Sequence, residues 1–542
     1  MSDNASTGEN TARAHGTPES RRVTSSSLEP SHADTLRAVS DTGVRGLHDH
    51  APALGREATL GARLSQLAED EFVLVVLLAA FGVVFLTIFP PTLLVADSWL
   101  TLVAGREVVE NGLPTKDELT VLGLGRDWTD QQWGAQLLAY GAYALGGYGV
   151  LAVVTALFAV GAFAIAAAAA RSLGAGPRAI VLLFFPVLLA APWTFTIRAQ
   201  VFVLPLYTAL IWLLASEARH PTRRVYLVVP LLLIWANLHG SAALAAMLTM
   251  LLGAIELIRS RGRSGLRSVL LLVLPALAVL ATPYGPIETA RYYHLLLVDP
   301  PFGRELVTEW RRSDPGWDTL AFYALAALAV VVVYLGRRRL TGFDLATLAF
   351  TFAGAVLAIR GIPWFALACL VLLPVAIGRS LEGRVARTPR RLDGYLSYAA
   401  AAFLAIVVVV ALARNDSWYE TNWPLRAVAS VENAARAPDT RVFATSRDAD
   451  WLLFHIPELR GRLAYDVRFE IYDRETFERI VRFRGEQGED WKSLADGYEV
   501  VVFETDQEPS SHVQDFLEEP GARALYTDER ITVIRRQAPA TQ

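Results

Sequence analysis

The chain has 542 residues, 53% of them hydrophobic and 19% charged, with a mean hydropathy of +0.33 and a formal net charge of −4. That balance is too apolar for an ordinary soluble protein, and the apolar residues fall into runs of about 17–24, the length a helix needs to cross a bilayer. Cys369 is the only cysteine, which excludes an internal disulfide or a thiolate metal site.

Residues 1–70 hold Ser, Thr, Asp, Glu, Arg, Gly and Pro without a sustained apolar period, and read as a disordered cytoplasmic tail. They lack the short apolar core of a cleavable signal, so the first span, Glu71–Leu94, is expected to act as an uncleaved anchor. A polar loop follows at 95–132. Segment 133–147 is short and glycine-rich, either an interfacial helix or a short span. Further spans are predicted near 150–171, 177–193, 200–217, 224–238, 241–258, 267–283, 318–336, 343–359, 361–378 and 395–413.

Basic residues orient this series, because cytoplasmic loops carry the excess of Arg and Lys. Arg171 and Arg178, Arg223 and Arg224, and then Arg259, Arg261, Arg263 and Arg267 fall in alternate loops. Arg337, Arg338 and Arg339 continue the series, and Arg379, Arg384, Arg387, Arg390 and Arg391 complete it. Placed inside, they give a polytopic α-helical membrane domain over 71–414, with roughly eleven or twelve spans and the amino terminus in the cytoplasm. Loop 285–316 then lies outside although it carries Arg291, Arg304, Arg311 and Arg312.

From about 415 to 542 the composition becomes soluble. Arg441–Ala444, Leu463–Tyr465, Val500–Glu504 and Ile531–Ile534 look like strands, with helices near 425–436, 474–484 and 511–519. This is a small extracytoplasmic α/β domain without a glycine-rich phosphate loop. Its expected role is structural or acceptor-binding.

On this topology the polar residues with chemical potential converge on the outer face. Asp97, at the end of the first span, reads as either a helix N-cap for 98–111 or a general base. A carboxylate is tolerated there only at an interface or a wet cavity. Asp117, Glu118, Asp127 and Asp130 offer hard oxygen ligands for a divalent metal, or form a solvated loop face. Trp99, Trp128, Trp133, Trp193, Trp310 and Trp364 lie near the outer boundary, as interfacial anchors or as platforms for a sugar.

The run from Asp97 to Trp133 resembles the first external loop of bacterial membrane proteins grouped with the GT-C glycosyltransferases. Their pattern is an Asp, a Trp two on, commonly a His four on, Leu five on and Gly eight on. A Gly-x-Pro, an Asp and two Trp follow. Asp97, Trp99, Leu102, Gly105, Gly112, Pro114, Asp117, Trp128 and Trp133 match, and Thr101 stands where the histidine is common. TIRAQVF (196–202), IWANLHGS (234–241), TPYG (282–285), TEWRRSD (308–314) and IRGIPWFA (359–366) resemble further motifs of the group. Thr282 replaces an asparagine.

The resemblance implies transfer of a sugar from a polyprenyl-phosphate donor to an envelope glycan, lipid or protein acceptor, with no role for nucleic acid. Asp97 is then the base. Arg198 and Arg360 are candidates to grip the donor phosphate, with snorkelling to lipid headgroups as the alternative. His239 would assist them or serve as a structural residue. Trp99, Asn237, Glu309, Trp310 and Asp117 are candidates for the sugar or the acceptor, and Glu309 is equally suited to an ion pair with Arg311 or Arg312. The competing class is a transporter, or a fold relative without catalysis. Against transport, no internal repeat is evident and the ionisable candidates gather at one face.

Overall fold

The computed structural model describes residues 70–88, 90, 92–191, 196–260, 265–298, 308–381, 389–505 and 510–537. The expected tail, Trp193, Arg261, Arg263, Arg304, Arg384 and Arg387 lie outside the described residues.

Helix α1 (Glu71–Ile88) is apolar from Phe72 to Leu86 and ends six residues before the predicted limit of the first span. Helix α2 (Ala96–Asn111) then carries Asp97 in its first turn. Helix α3 (Trp133–Ser172) is broken at Gly146 and Gly147. Gly147 adopts φ 67°, where a side chain would be strained. The break separates the glycine-rich segment from the following span, where the sequence puts two adjacent glycines.

Next come α4 (Pro177–Ala190) and α5 (Leu204–Arg219), the latter preceded by a 3₁₀ turn at Ala199–Val203. They are followed by α6 (Val228–Ala236), α7 (Ala242–Ser260), α8 (Gly265–Val279) and α9 (Gly285–Leu297). The membrane part closes with α10 (Leu320–Gly336), α11 (Gly342–Leu357), α12 (Ile362–Ile377) and α13 (Arg390–Ala413).

Among the described residues, six helical stretches are long and apolar enough to cross a membrane. They are Trp133–Ser172, Ala199–Arg219, Ala242–Arg259, Leu320–Arg339, Ile359–Ile377 and Arg390–Ala413. Four shorter apolar helices accompany them. The protein is a multi-pass membrane protein. Helix α12 is its centre, buried from Ile362 to Ala376 and packed by α3, α4, α10 and α11, as expected of a helix apolar on all sides.

The carboxy-terminal region contains α14 (Leu425–Ala434), β1 (Val442–Ala444), α15 (Ser446–His455), α16 (Arg474–Arg484), β2 (Val500–Glu504), α17 (Ser510–Leu517), β3 (Arg523–Thr527) and β4 (Ile531–Arg535). The sheet order is β1-β2-β4-β3, with β1 parallel to β2 and the other pairs antiparallel. Three strands fall where the sequence puts them. Leu463–Tyr465 is not a named strand but bridges between Val442 and Thr120. Helix α15 and strand β3 were not anticipated. The amphipathic α15 lies against α2.

The first loop belongs structurally with this region. Val121 and Leu122 donate backbone hydrogen bonds to Leu463 and Ala464, at 2.7 and 3.0 Å. Arg106 donates to the carbonyls of Leu453 and Phe454 at 2.7 and 2.9 Å, and Arg460 joins Glu107 and Glu118. Beneath them Arg468, 2% exposed, binds Asp117 at 2.7 Å and Asp466 at 2.5 Å. Its guanidinium stands 4.1 Å over the Trp128 ring. This buried ionic cluster fixes the segment Val467–Glu470 as a wall facing the membrane helices.

Candidate active site

Two adjacent cavities lie where α2, the start of α3, the turns at 196–200 and 237–241, the 3₁₀ turn at Thr308–Trp310 and the start of α12 meet the 467–470 wall. The polar cavity, of about 130 Å³, is lined by Asp97, Thr101, Gln132, Gln136, Arg198, Gln200, His239, Glu309, Trp310, Arg360, Arg468 and Glu470, with a few apolar neighbours. The second, of about 240 Å³, has Leu244, Met247, Tyr292, Leu296, Leu297 and Trp364 on its apolar side. Gln132, Gln200, His239, Trp310, Arg360 and Glu470 line both and form the neck between them.

Local bonding explains the convergence. The Ser98 hydroxyl accepts from the Val95 amide at 2.9 Å and donates to the Ile197 carbonyl at 2.5 Å. The Ile197 amide in turn donates to Leu93 at 3.0 Å. The start of α2 is thereby stitched to the residue before Arg198. Asp97 Oδ2 lies 3.6 Å from Arg198 Nη1, and Arg198 also pairs with Glu309. Ile359 donates to the Arg311 carbonyl at 3.0 Å and the Ser313 hydroxyl to Ala355 at 2.5 Å, which seats Glu309 and Trp310 beside Arg360. Gly361 permits that seat, because a Cβ there would stand 2.6 Å from the Gly354 carbonyl oxygen.

Asp97 is therefore not the helix N-cap, a position held by Val95. Its carboxylate accepts no hydrogen bond among the described residues and opens into the cavity. Burial pushes its pKa up, Arg198 opposes that, the Glu309 charge adds to it and Arg360 opposes it more weakly. Glu309 moves the other way: burial raises it, but Arg198 and Arg360 hold it below the usual range. Of the two carboxylates flanking one arginine, Asp97 is the better proton acceptor.

Arg198 lacked an acidic neighbour in the sequence, yet it has two in space. Its charge is largely balanced, and Glu309 is committed to it rather than to Arg311, which pairs with Asp318. Arg360 has no hydrogen bond or ion pair among the described residues and stacks 4.3 Å over Trp310. It is the cation at the neck with donors to spare. His239 Nδ1 accepts from the Ser241 amide at 3.0 Å and lies 2.8 Å from the Ser241 hydroxyl. The neutral ring thus carries its proton on Nε2. Burial, then Arg360, pushes its pKa down to about 3, so His239 offers a neutral donor rather than the positive charge a phosphate-binding histidine would supply.

Three sequence candidates do not reach the cavity. Trp99 is fully buried and packs against Tyr148, Trp423, Phe454 and His455. It joins α2 to the carboxy-terminal region. Asn237 accepts from Trp133 Nε1 at 3.2 Å and donates to the Leu233 carbonyl at 2.8 Å, so it closes a turn. Asp117 is fully buried and committed to Arg468, Thr120 and the Leu119 amide.

The acids considered for a metal are dispersed as well. Glu118 pairs with Arg460, Asp127 with Lys116, and Asp130 accepts from Gln132 and Gln136. Among the described residues no group of three or more His, Cys, Asp or Glu has a metal-holding arrangement. The sequence reading missed Gln132, Gln136, Gln200, Arg468 and Glu470. The first three are ordinary polar residues beside matched motifs, whereas Arg468 and Glu470 come from a segment that only the fold brings here.

No protein-family model and no curated protein matches the chain. Its structure is similar to ArnT from Cupriavidus metallidurans bound to undecaprenyl phosphate, with 14% identity, a TM-score of 0.49, and coverage of 85% of this chain and 97% of that one. It is also similar to the archaeal oligosaccharyltransferase AglB from Archaeoglobus fulgidus in complex with an inhibitory peptide and a dolichol-phosphate. There the identity is 13%, the TM-score 0.49, and the coverage 82% of this chain and 70% of that one.

Proposed function

We propose that the protein is an integral-membrane glycosyltransferase that moves a sugar from a polyprenyl-phosphate donor to a hydroxyl of an extracytoplasmic acceptor. One observation carries the reading: a polar cavity with an available carboxylate joins a more apolar cavity through a neck that holds Arg360. An amphiphile with a phosphate head and a hydrocarbon tail fits that pairing. The tail lies along Leu244, Met247, Leu296 and Leu297, and the phosphate reaches Arg360 and the Nε2 proton of His239.

In the transfer the acceptor oxygen bonds to the anomeric carbon while its proton passes to Asp97. The bond from that carbon to the phosphate oxygen breaks, and its electron pair stays on the phosphate. Arg360 stabilises the charge that develops there, and Arg198 holds Asp97 and Glu309 in place. The alternating arginine loops support placing the amino terminus in the cytoplasm and residues 415–542 outside a bacterial cell membrane.

The test is sugar transfer from polyprenyl-phosphate donors by protein in liposomes, comparing wild type with Asp97→Asn. The reading expects transfer by the wild type and a loss of at least about a hundredfold in the variant, the range of general-base contributions. Equal rates would remove Asp97 from the mechanism. No transfer by the wild type across a broad donor and acceptor set would favour a binding or transport role.

A further inference from the structure

Glu470 is the one carboxylate at the neck, where Arg360 is the cation. It comes from the carboxy-terminal region, it lines both cavities, and its carboxyl makes no hydrogen bond to another residue and no ion pair among the described residues. Every other carboxylate in the polar cavity is matched to an arginine. Nothing in the reaction described above uses Glu470.

Its position does matter to charge. A polyprenyl-phosphate sugar is a phosphodiester with one negative charge. Transfer breaks its carbon–oxygen bond and leaves a phosphate monoester whose second ionisation lies near pH 6. The spent carrier therefore carries about one more negative charge than the donor, at the same neck. Arg198 is already balanced by Asp97 and Glu309, so Arg360 supplies most of the attraction. An anionic Glu470 facing the same space tolerates a monoanion beside Arg360 and repels a dianion.

We propose that Glu470 makes the neck select the singly charged phosphodiester over the doubly charged monoester, and so drives release of the spent carrier. The inference rests on the donor reading above. The groups that face Glu470 are Arg468 and Asp466 on its own segment, Asp130 from the first loop, Tyr292 from α9, and His239 and Arg360 across the neck. Burial pushes the Glu470 carboxyl up to about 7, a backbone hydrogen bond and Arg468 pull it down, and Asp466 and Asp130 push it up. The repulsion is thus weak at pH 6 and strong at pH 8, while His239 stays neutral throughout.

The experiment measures dissociation constants of two probes, a polyprenyl phosphate and its methyl diester, for full-length protein in nanodiscs at pH 6 and pH 8. At pH 8 the wild type is expected to bind the diester about tenfold more tightly than the monoester, the effect of one like charge in a partly wet pocket. Glu470→Gln should cut that preference to within about threefold by tightening the monoester, and Glu470→Asp should keep it. The wild-type preference should also shrink at pH 6.

An unchanged diester-to-monoester ratio in Glu470→Gln overturns the inference and leaves the donor reading standing. Equal loss of both probes in Glu470→Gln assigns the residue a structural part and also overturns it. Failure of the wild type to bind either probe overturns the donor reading and this inference together.

Discussion

Replacing Arg468 with methionine tests how the first loop is held. The guanidinium is 1% exposed and bonds to Asp117, which is 0% exposed, and to Asp466, which is 2% exposed. Methionine keeps much of the volume above Trp128 but leaves two buried carboxylates without their cation. Removing one partner of a buried ionic group costs about 3–5 kcal/mol, because the remaining charge stays desolvated. Asp466 sits beside Asp450, whose carboxyl burial holds well above the usual range, with the Asp466 charge adding to it. Part of the penalty is therefore met by protonation rather than unfolding, which favours the lower end of that range. For a chain of this size the expected drop in melting temperature is about 3 °C. The assay is thermal unfolding in detergent with wild type, Arg468→Met and Arg468→Met/Asp117→Asn. The double variant removes one stranded charge and should recover part of the loss. A single variant that melts within about 1 °C of wild type would refute the clamp, as would a double variant no more stable than the single.

Asp130 is 3% exposed, and burial pushes its carboxyl up to about 6 against hydrogen bonds from Gln132 and Gln136. The unfolded chain releases that proton near pH 4, so folded-state stability falls as pH rises from about 4 to 6 and the deficit is complete above 6. Asp130→Asn should therefore raise the melting temperature at pH 8, by at most about 3 kcal/mol of stability, and change it little at pH 4; the opposite order contradicts the assignment. His239→Gln keeps a neutral donor and should bind polyprenyl phosphate within about threefold of wild type, whereas His239→Ala should lose about tenfold, near the worth of one hydrogen bond to a charged group; equal binding by both excludes contact with the phosphate. Gly105→Ala would set a Cβ 2.3 Å from the Gln136 carbonyl oxygen and 2.6 Å from Tyr140 Cβ, so folded yield should fall sharply, by an overpacking cost of about 1–3 kcal/mol; wild-type yield and melting would show that α2 and α3 are less tightly packed.

Much of the fold could be read from hydrophobic runs, because a spanning helix announces itself by length and apolarity alone. Helix α12 is the clearest case, apolar from Ile362 to Ile377. The 463–465 stretch reads as a strand but forms only isolated bridges, from Leu463 to Val442 of β1 and to Thr120 of the first loop. Of the candidate site, Asp97, Arg198, His239, Glu309, Trp310 and Arg360 meet in one cavity. Their shared feature, a polar residue at the same end of successive apolar runs, is visible in one dimension. The pairing of Arg198 with Glu309 is not, because 111 residues separate them. Trp99 and Asp117 misled for a related reason: a tryptophan or aspartate in a polar loop reads as exposed, yet the carboxy-terminal region covers both. Arg468 and Glu470 left no signal, since nothing in RFEI marks them as facing a distant pocket.

The central claim is that a lipid phosphate sits at the neck between the two cavities. Cryo-electron microscopy of the full-length protein in nanodiscs with a polyprenyl phosphate, at pH 6, tests it most directly. The account predicts phosphate density within hydrogen-bonding distance of the Arg360 guanidinium and His239 Nε2, with the tail running past Met247 and Leu296. Density for the head group at another surface, with the neck left to solvent, would contradict it.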